Sequence, residues 1–205
     1  MKRKIFVFIL CLVTLLTVSG CSTLSLTLKS VGKDSTGAKK MATAINKDIK
    51  NRKRMGDYTL YGIDMSMDTE GNGKAHLIYT RKLLQELKYS DIMIVTVDTR
   101  TGKVESAKEA DFATYGTLPY EVIVDGAPLM IESWKQDSTS AMAIAQKSFF
   151  EEDDFVHNYV QICTRVKDGI GQYDITFVSL VKGLRYECAV DGMSGAILKK
   201  EIKDL

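Results

Sequence analysis

The sequence predicts an α+β fold made of two tandem units, each a helix followed by an antiparallel meander, with cores that are shared or abut. Two segments place apolar residues at helical spacing, and strands of alternating polarity with glycine-rich turns follow each of them. The third strand and its turn also occur twice, as IVTVDTRTGKVESAK and YECAVDGMSGAILKK, with Asp98 and Asp191 in corresponding positions. Such internal similarity indicates a duplicated unit.

The predicted domain organisation has five parts. We expect a signal peptide, a flexible tether, a first unit, a connector and a second unit, at residues 1–20, 21–36, 37–107, 108–136 and 137–205, respectively. Without its leader, a chain of this length is typical of one domain or of two small lobes that share a core.

The leader, MKRKIFVFILCLVTLLTVSGC, predicts export. Three basic residues precede an apolar run at residues 5–18, which is long enough for a secretory signal and too short for a stable membrane span. The tetrapeptide VSGC, which ends at Cys21, resembles the lipobox of bacterial lipoproteins. This resemblance implies cleavage before Cys21 and attachment of a diacylglyceryl group to its thiol. An uncleaved signal anchor and an ordinary cleaved signal are the alternatives.

A lipid on Cys21 predicts an extracytoplasmic protein anchored to the cell membrane. Each buried methylene contributes about 0.8 kcal/mol, so two or more acyl chains hold a protein on a bilayer. Ser22, rather than aspartate, follows the cysteine, which resembles the sorting pattern for the outer membrane in cells with two membranes. The tether has an r.m.s. reach of about 20 Å as a flexible chain, although its alternating Leu24, Leu26 and Leu28 also fit a first strand.

The charge balance argues against nucleic-acid binding. The chain has 28 basic and 26 acidic side chains, and three of the basic ones lie in the leader. The mature chain therefore carries 25 basic side chains against 26 acidic ones, a net charge near −1, with no long block of like charge. The sequence therefore predicts no basic patch that could bind the phosphate backbone of a nucleic acid.

Local patterns predict the elements of the first unit. An apolar stripe indicates a helix at residues 39–54, which ends in basic residues that suit the helix dipole. Residues 83–90 fit either a continued strand or a short helical loop. Strands are expected at residues 57–68, 74–82, 91–98 and 103–107, with turns at residues 71–73 and 98–102.

The second unit repeats this order of elements. A helix is expected at residues 140–150, with Ser138 or Thr139 as its cap. Strands are expected at residues 156–167, 172–181, 184–190 and 196–200, with a turn at residues 191–195.

The second unit, at about residues 137–203, resembles a PepSY domain. The similarity lies in an alanine-rich helix, a strand, the segment YDITF and then RYECAVDGMSGAIL. In its closing turn, Asp191 can accept backbone N–H groups and Gly195 can supply a positive φ. The first unit is similar only around residues 95–104. The resemblance implies a small module of protease propeptides and exported proteins that restrains or regulates peptidases.

The cysteines are not expected to form a disulfide. Cys11 leaves with the leader, so Cys163 and Cys188 remain besides Cys21. Hairpin turns at residues 169–170 and 182–183 would place Ile162, Phe177 and Cys188 in one cross-strand row. Cys163 would then face the opposite side of the sheet, with a strand between the two thiols, and a bridge needs Cα atoms within about 7 Å.

A search for catalytic chemistry is negative, and we expect a protein that is not an enzyme and holds no cofactor or metal. His76 and His157 have no metal-ligand spacing, and His157 and Cys163 lie about 20 Å apart on one predicted strand. Residues 151–154 are acidic but lack the spacing and the glycine of a calcium loop.

The function predicted from these observations is that of a membrane-anchored, protein-binding or regulatory module, whose partner is an envelope protein and, by the PepSY resemblance, a peptidase. The candidate interaction residues are Tyr159, Gln161 and Arg165 on one predicted strand, although a solvent-exposed sheet face that binds no partner has the same pattern. Trp134, in the connector, is either a core plug or an exposed contact residue. A structural or assembly lipoprotein of the envelope and a small-ligand carrier are the alternatives.

Overall fold

The structure, a computed structural model, describes residues 36–50, 58–81, 92–110, 127–150 and 155–205. The predicted signal peptide, Cys21 and nearly all of the tether lie outside the described residues. Three further segments also lie outside the described residues: residues 83–90, residues 151–154 and residues 111–126 of the connector. The expected domain boundaries stay a prediction.

The described elements are two α-helices, one 3₁₀ turn and eight strands. In chain order they are α1 (Ala38–Lys50), β1 (Thr59–Asp68), β2 (Gly73–Thr80), β3 (Ile92–Asp98), β4 (Val104–Glu109), the 3₁₀ turn (Ile131–Ser133), α2 (Ser138–Phe149), β5 (Tyr159–Lys167), β6 (Ile170–Ser179), β7 (Leu184–Asp191) and β8 (Ile197–Asp204). All eight strands form one antiparallel sheet in the order β4-β3-β2-β1-β5-β6-β7-β8.

The expected α+β fold of two tandem helix-plus-meander units, with cores that are shared or abut, is wrong. The strands form one continuous sheet because β1 pairs with β5, from Ile63 opposite Thr164 to Asp68 opposite Tyr159. The described part of the protein is therefore mainly β, with two helices against one eight-stranded sheet. Pairing β1 with β5 covers two strand edges that separate units would leave with unpaired backbone groups.

Both helices pack on the same face of the sheet. Their apolar positions recur every three or four residues, so that each helix turns one buried stripe to the strands. The helices contribute Met41, Ile45, Ile49, Ala141, Ala145 and Phe149 to this core, and the strands contribute Ile63, Leu77, Val95, Ile162, Tyr173 and Phe177. Within the described ranges, neither helix combines the length and apolar character needed to cross a bilayer.

The second helix begins at Ser138, two residues before its expected start, so Ser138 and Thr139 lie inside the helix and neither is its cap. Asp137 is its N-cap, and its carboxylate accepts the backbone N–H of Ser138 at 2.6 Å. The side chain of Ser140 in turn accepts the backbone N–H of Asp137 at 3.0 Å, which completes a reciprocal capping box.

The hairpin between β5 and β6 differs from its expected register. Asp168 and Gly169 form the turn, with φ values of 51° and 78°, whereas residues 169–170 were expected there. The cross-strand row consequently runs through Ile162, Ile175 and Cys188 rather than through Phe177. The two-residue shift leaves every side chain on its expected face, and no disulfide joins Cys163 to Cys188, as predicted.

Candidate functional site

The face of the sheet away from the helices carries a groove over β5–β8. We call this the open-face groove. It has a volume of about 690 Å³, and none of the described helices covers it. Strand alternation sends every second side chain of these strands to this face. Its polar lining side chains are Arg165, Lys167, Asp168, Gln172, Asp174, Thr176, Glu187 and Lys199.

The floor of the groove is a compact charged cluster. Nε of Arg165 on β5 donates to Oδ2 of Asp174 on β6 at 2.6 Å, and Nε2 of Gln172 donates to Oδ1 of Asp174 at 2.6 Å. Arg165 and Gln172 are buried, with 8% and 6% of their surfaces exposed. Charge-assisted hydrogen bonds to both carboxylate oxygens hold this floor in one arrangement.

The rim of the groove carries ion pairs that face solvent. Nζ of Lys203 lies 2.6 Å from Oε2 of Glu187 and 3.0 Å from Oε2 of Glu201, and Nζ of Lys199 lies 2.8 Å from Glu201. The hydrogen bond from Lys199, followed by that from Lys203, lowers the pKa of Glu201, while the one to Glu187 raises the pKa of Lys203. Exposed pairs of this kind contribute little to stability, so a bound partner can exchange them at small cost.

A second polar group on the same face centres on Asp64 of β1. Nε2 of Gln161 donates to Oδ1 of Asp64 at 3.2 Å, and Nδ1 of His76 lies 3.2 Å from Oγ1 of Thr96. Burial raises the pKa of Asp64, although Gln161 and His76 act in the opposite direction.

Cys163 and His76 lie too far apart to act together as a nucleophile and its base. Asp64 lies opposite His76 on β2 and opposite Cys163 on β5, so it separates the imidazole from the thiol by two strand spacings, about 9.5 Å. Among the described residues, no three histidine, cysteine, aspartate or glutamate side chains are grouped to hold a metal ion.

The structure separates the predicted interaction residues into two environments. Tyr159 and Gln161 are exposed on β5, and 49% of the surface of Tyr159 is accessible. Arg165 shares their strand but is buried in the floor of the groove. Cys21, the predicted lipid attachment site, lies outside the described residues.

Trp134 is a core residue rather than a surface residue. It is 5% exposed, and its ring meets that of Tyr173 edge to face at a centroid distance of 5.2 Å. The indole lies against Gly171 and Gly192, where a Cβ atom would come within 2.2 Å of ring carbons. The packing corresponds to the core plug of the two sequence interpretations, and it offers no ring to a partner.

Three side chains that line the groove were not among the residues predicted to be functional, namely Gln172, Asp174 and Glu187. Their alternation with core residues along β6 and β7 was the available signal, because QYDITF and RYECAV place them at every second position. Their partners could not be found in the same way, since the contacts join different strands.

Comparison with known proteins shows the fold alone. No family model matches the chain, and no curated protein matches it. A crystal structure at 1.85 Å resolution, described as that of a "putative lipoprotein" from Clostridium difficile 630, is similar with a TM-score of 0.52 and 16% sequence identity. The similarity covers 89% of this chain and all of that chain.

Proposed function

We propose that this protein is an extracytoplasmic lipoprotein, held on the cell membrane through Cys21, whose folded part binds a protein partner in the open-face groove. The observation that carries the binding role is the groove itself, about 690 Å³ of space above a fixed charged floor. In a cell with two membranes, the anchor would lie in the outer membrane.

The leader sequence supports the anchor. A basic start, an apolar run of signal length and a lipobox-like VSGC occur in the required order before Ser22. The structurally similar protein from Clostridium difficile 630 is described as a putative lipoprotein, which is consistent with the same location for this chain.

The shape and charge of the groove favour a polypeptide segment over a small molecule. An open groove with alternating charges suits an extended chain with polar side chains, whereas small-molecule sites are enclosed and mostly apolar. Lys199, Glu187 and Lys203 present charges of both signs at its rim. A peptidase is the partner that the PepSY resemblance implies, and an envelope assembly protein would use the same surface.

Site-specific photo-crosslinking in intact cells tests this proposal. A benzophenone side chain at Lys199, which is exposed beside the groove, is expected to capture one protein of defined mass. The matched control is Ala143, which is exposed on α2 at the opposite face. Capture of the same protein from both positions, or from neither, would contradict binding in the groove.

A charge reversal in the groove provides a second control. Glu187→Lys places a cation beside Lys203 and Lys199 at the rim, and it is expected to abolish capture from position 199. Circular dichroism should show an unchanged fold, because the pair it breaks faces solvent. Undiminished capture by the folded variant would show that the rim charges do not select the partner.

A further inference from the structure

We infer that one end of the sheet forms a second membrane contact, through an apolar tip composed of Tyr159, Leu180, Val181 and Leu205. These four side chains are 49%, 59%, 83% and 58% exposed, respectively. Scattered exposed apolar residues are ordinary, but a group of them at one place on a surface indicates a partner. The inference rests on the proposed lipid anchor at Cys21.

The backbone joins the four residues into one surface at the same end of β5–β8. Tyr159 begins β5 and pairs with Val178 near the end of β6. The N–H of Leu180 donates to Oδ1 of Asn158 at 2.8 Å, which holds the β6–β7 loop against the start of β5. At the other side of this loop, the N–H of Leu205 donates to the carbonyl of Gly183 at 2.9 Å.

The path of the chain identifies a membrane as the occupant. Asp68 pairs with Tyr159, so the β1–β2 turn lies at the same end of the sheet as the apolar tip. Thr36, the first described residue, lines a cleft of about 250 Å³ with Gly71 of that turn and Thr99 of the β3–β4 turn. The start of α2 closes the other side of this cleft with Ser138 and Thr139, so the chain enters the fold between α2 and the two turns at the end of the sheet that carries the tip.

The tether predicted from the sequence is short. About 15 residues separate Thr36 from Cys21, and a flexible chain of that length has an r.m.s. reach of roughly 20 Å. A lipid on Cys21 would keep the entry point of the chain within that reach of the bilayer, so that the tip can meet the boundary between headgroups and acyl chains.

The chemistry of the tip suits that boundary. The transfer of leucine and valine side chains out of water is favourable, and tyrosine is enriched at membrane interfaces. Lys182 follows Val181 in the same loop and is exposed, so its cation would lie among the headgroups, while the nearby cation of Lys203 is paired with Glu187 and Glu201. Such a contact would stand the strands on the membrane and leave the open-face groove turned sideways toward an envelope partner.

Brominated-lipid quenching of tryptophan fluorescence tests the tip in the mature, lipidated protein. Val181→Trp places a reporter at the most exposed tip residue, and Met193→Trp places one in the β7–β8 turn at the opposite end, where Met193 is 45% exposed. The native Trp134 is buried and gives the background signal, which is measured in the unsubstituted protein.

We expect vesicles of phosphatidylcholine with brominated acyl chains to quench Val181→Trp and shift its emission to the blue, while Met193→Trp stays at background. Equal quenching of the two reporters, or none in either while the protein floats with the vesicles, would overturn the tip and leave the anchor standing. Mass spectrometry of Cys21 separates the two proposals. If the cysteine is not acylated, the anchor fails, and quenching at excess lipid still decides the tip.

The loss of affinity can be measured without the lipid. In the mature chain carrying Cys21→Ser, replacing Leu180 and Val181 with serine is expected to weaken vesicle binding by about tenfold or more. The matched control replaces Ile170 and Met193, at the opposite end, and should leave binding unchanged. Equal weakening by both pairs, or by neither, would contradict insertion of the tip.

Discussion

Gly171→Ala is expected to destabilise the protein by about 2–3 kcal/mol, because the new methyl group would collide with the core indole. A Cβ atom at this position would lie 2.2 Å from Cζ2, 2.5 Å from Cε2 and 2.9 Å from Nε1 of Trp134. Ordinary carbon contacts are about 3.5–4.0 Å, so the ring would have to retreat by more than 1 Å.

The ring has little room for this movement. Trp134 is 5% exposed and also lies against Gly192, where a Cβ atom would come within 2.2 Å of Cε3. Overpacking of a well-filled core costs about 1–3 kcal/mol, and the rigid neighbour places this case in the upper part of that range. The backbone itself does not need glycine here, because neither Gly171 nor Gly192 has a positive φ.

A double-mutant cycle isolates the collision. Urea unfolding followed by circular dichroism gives the free energy of unfolding for Gly171→Ala, Trp134→Ala and the double variant. Trp134→Ala alone should cost about 3–5 kcal/mol. In the Trp134→Ala background, which lacks the ring, Gly171→Ala should cost nothing or stabilise the strand by about 0.5–1 kcal/mol. The same cost for Gly171→Ala in both backgrounds would refute the reasoning.

Three further predictions concern titratable groups. Burial raises the pKa of Asp64, so ionisation of this carboxyl opposes folding as the pH rises through the folded pKa. Asp64→Asn should therefore be more stable than the native protein at pH 7. Unfolding curves measured at several pH values should show that this advantage is lost below about pH 3.8. Asp191 behaves in the opposite sense: the backbone N–H of Ser194 lowers its pKa, so the contribution of its charge to stability is present at neutral pH and is lost on acidification. Because solvent screens this carboxylate, Asp191→Ala should lower the free energy of unfolding by less than about 1 kcal/mol at pH 7, and by a smaller amount in acid. A thiol reagent should modify Cys163 in the folded protein. Cys188 is 3% exposed and burial raises its pKa, so the reagent should modify it only as fast as the protein unfolds. Equal rates of modification for the two thiols would place Cys188 outside the core.

Much of the local structure follows from short-range patterns. The two helices and eight strands lie close to the segments that periodicity predicted. The closing turn is also as expected: Asp191 accepts the backbone N–H groups of Met193 and Ser194, each at 2.7 Å, and Gly195 has a φ of 75°. These features depend on residues a few positions apart, which a sequence displays directly.

The error in hairpin register also has a local cause. Asp168-Gly169 is the dipeptide that a two-residue turn with positive φ at both positions favours, and it lies one residue before the turn that was expected. Moving the turn by one residue moves the pairing by two, which changed the predicted neighbour of Ile162 but not its face.

The arrangement of the whole sheet could not be predicted in this way. Nothing in the period-two pattern of β1 states that its free edge pairs with β5, almost 100 positions later in the chain. The contacts of Trp134 with Gly171 and Gly192 and the groove above Asp174 depend on the same long-range arrangement. They are consequences of tertiary packing, for which the sequence carries only the compatible residue sizes and charges.

The proposed anchor is tested most directly by intact-mass spectrometry of the protein purified from a membrane fraction. The expected mass is that of a chain that begins at Cys21 and carries at least a diacylglyceryl group. A mass that retains residues 1–20, with an unmodified Cys21, would contradict the proposed anchor and with it the membrane orientation of the fold.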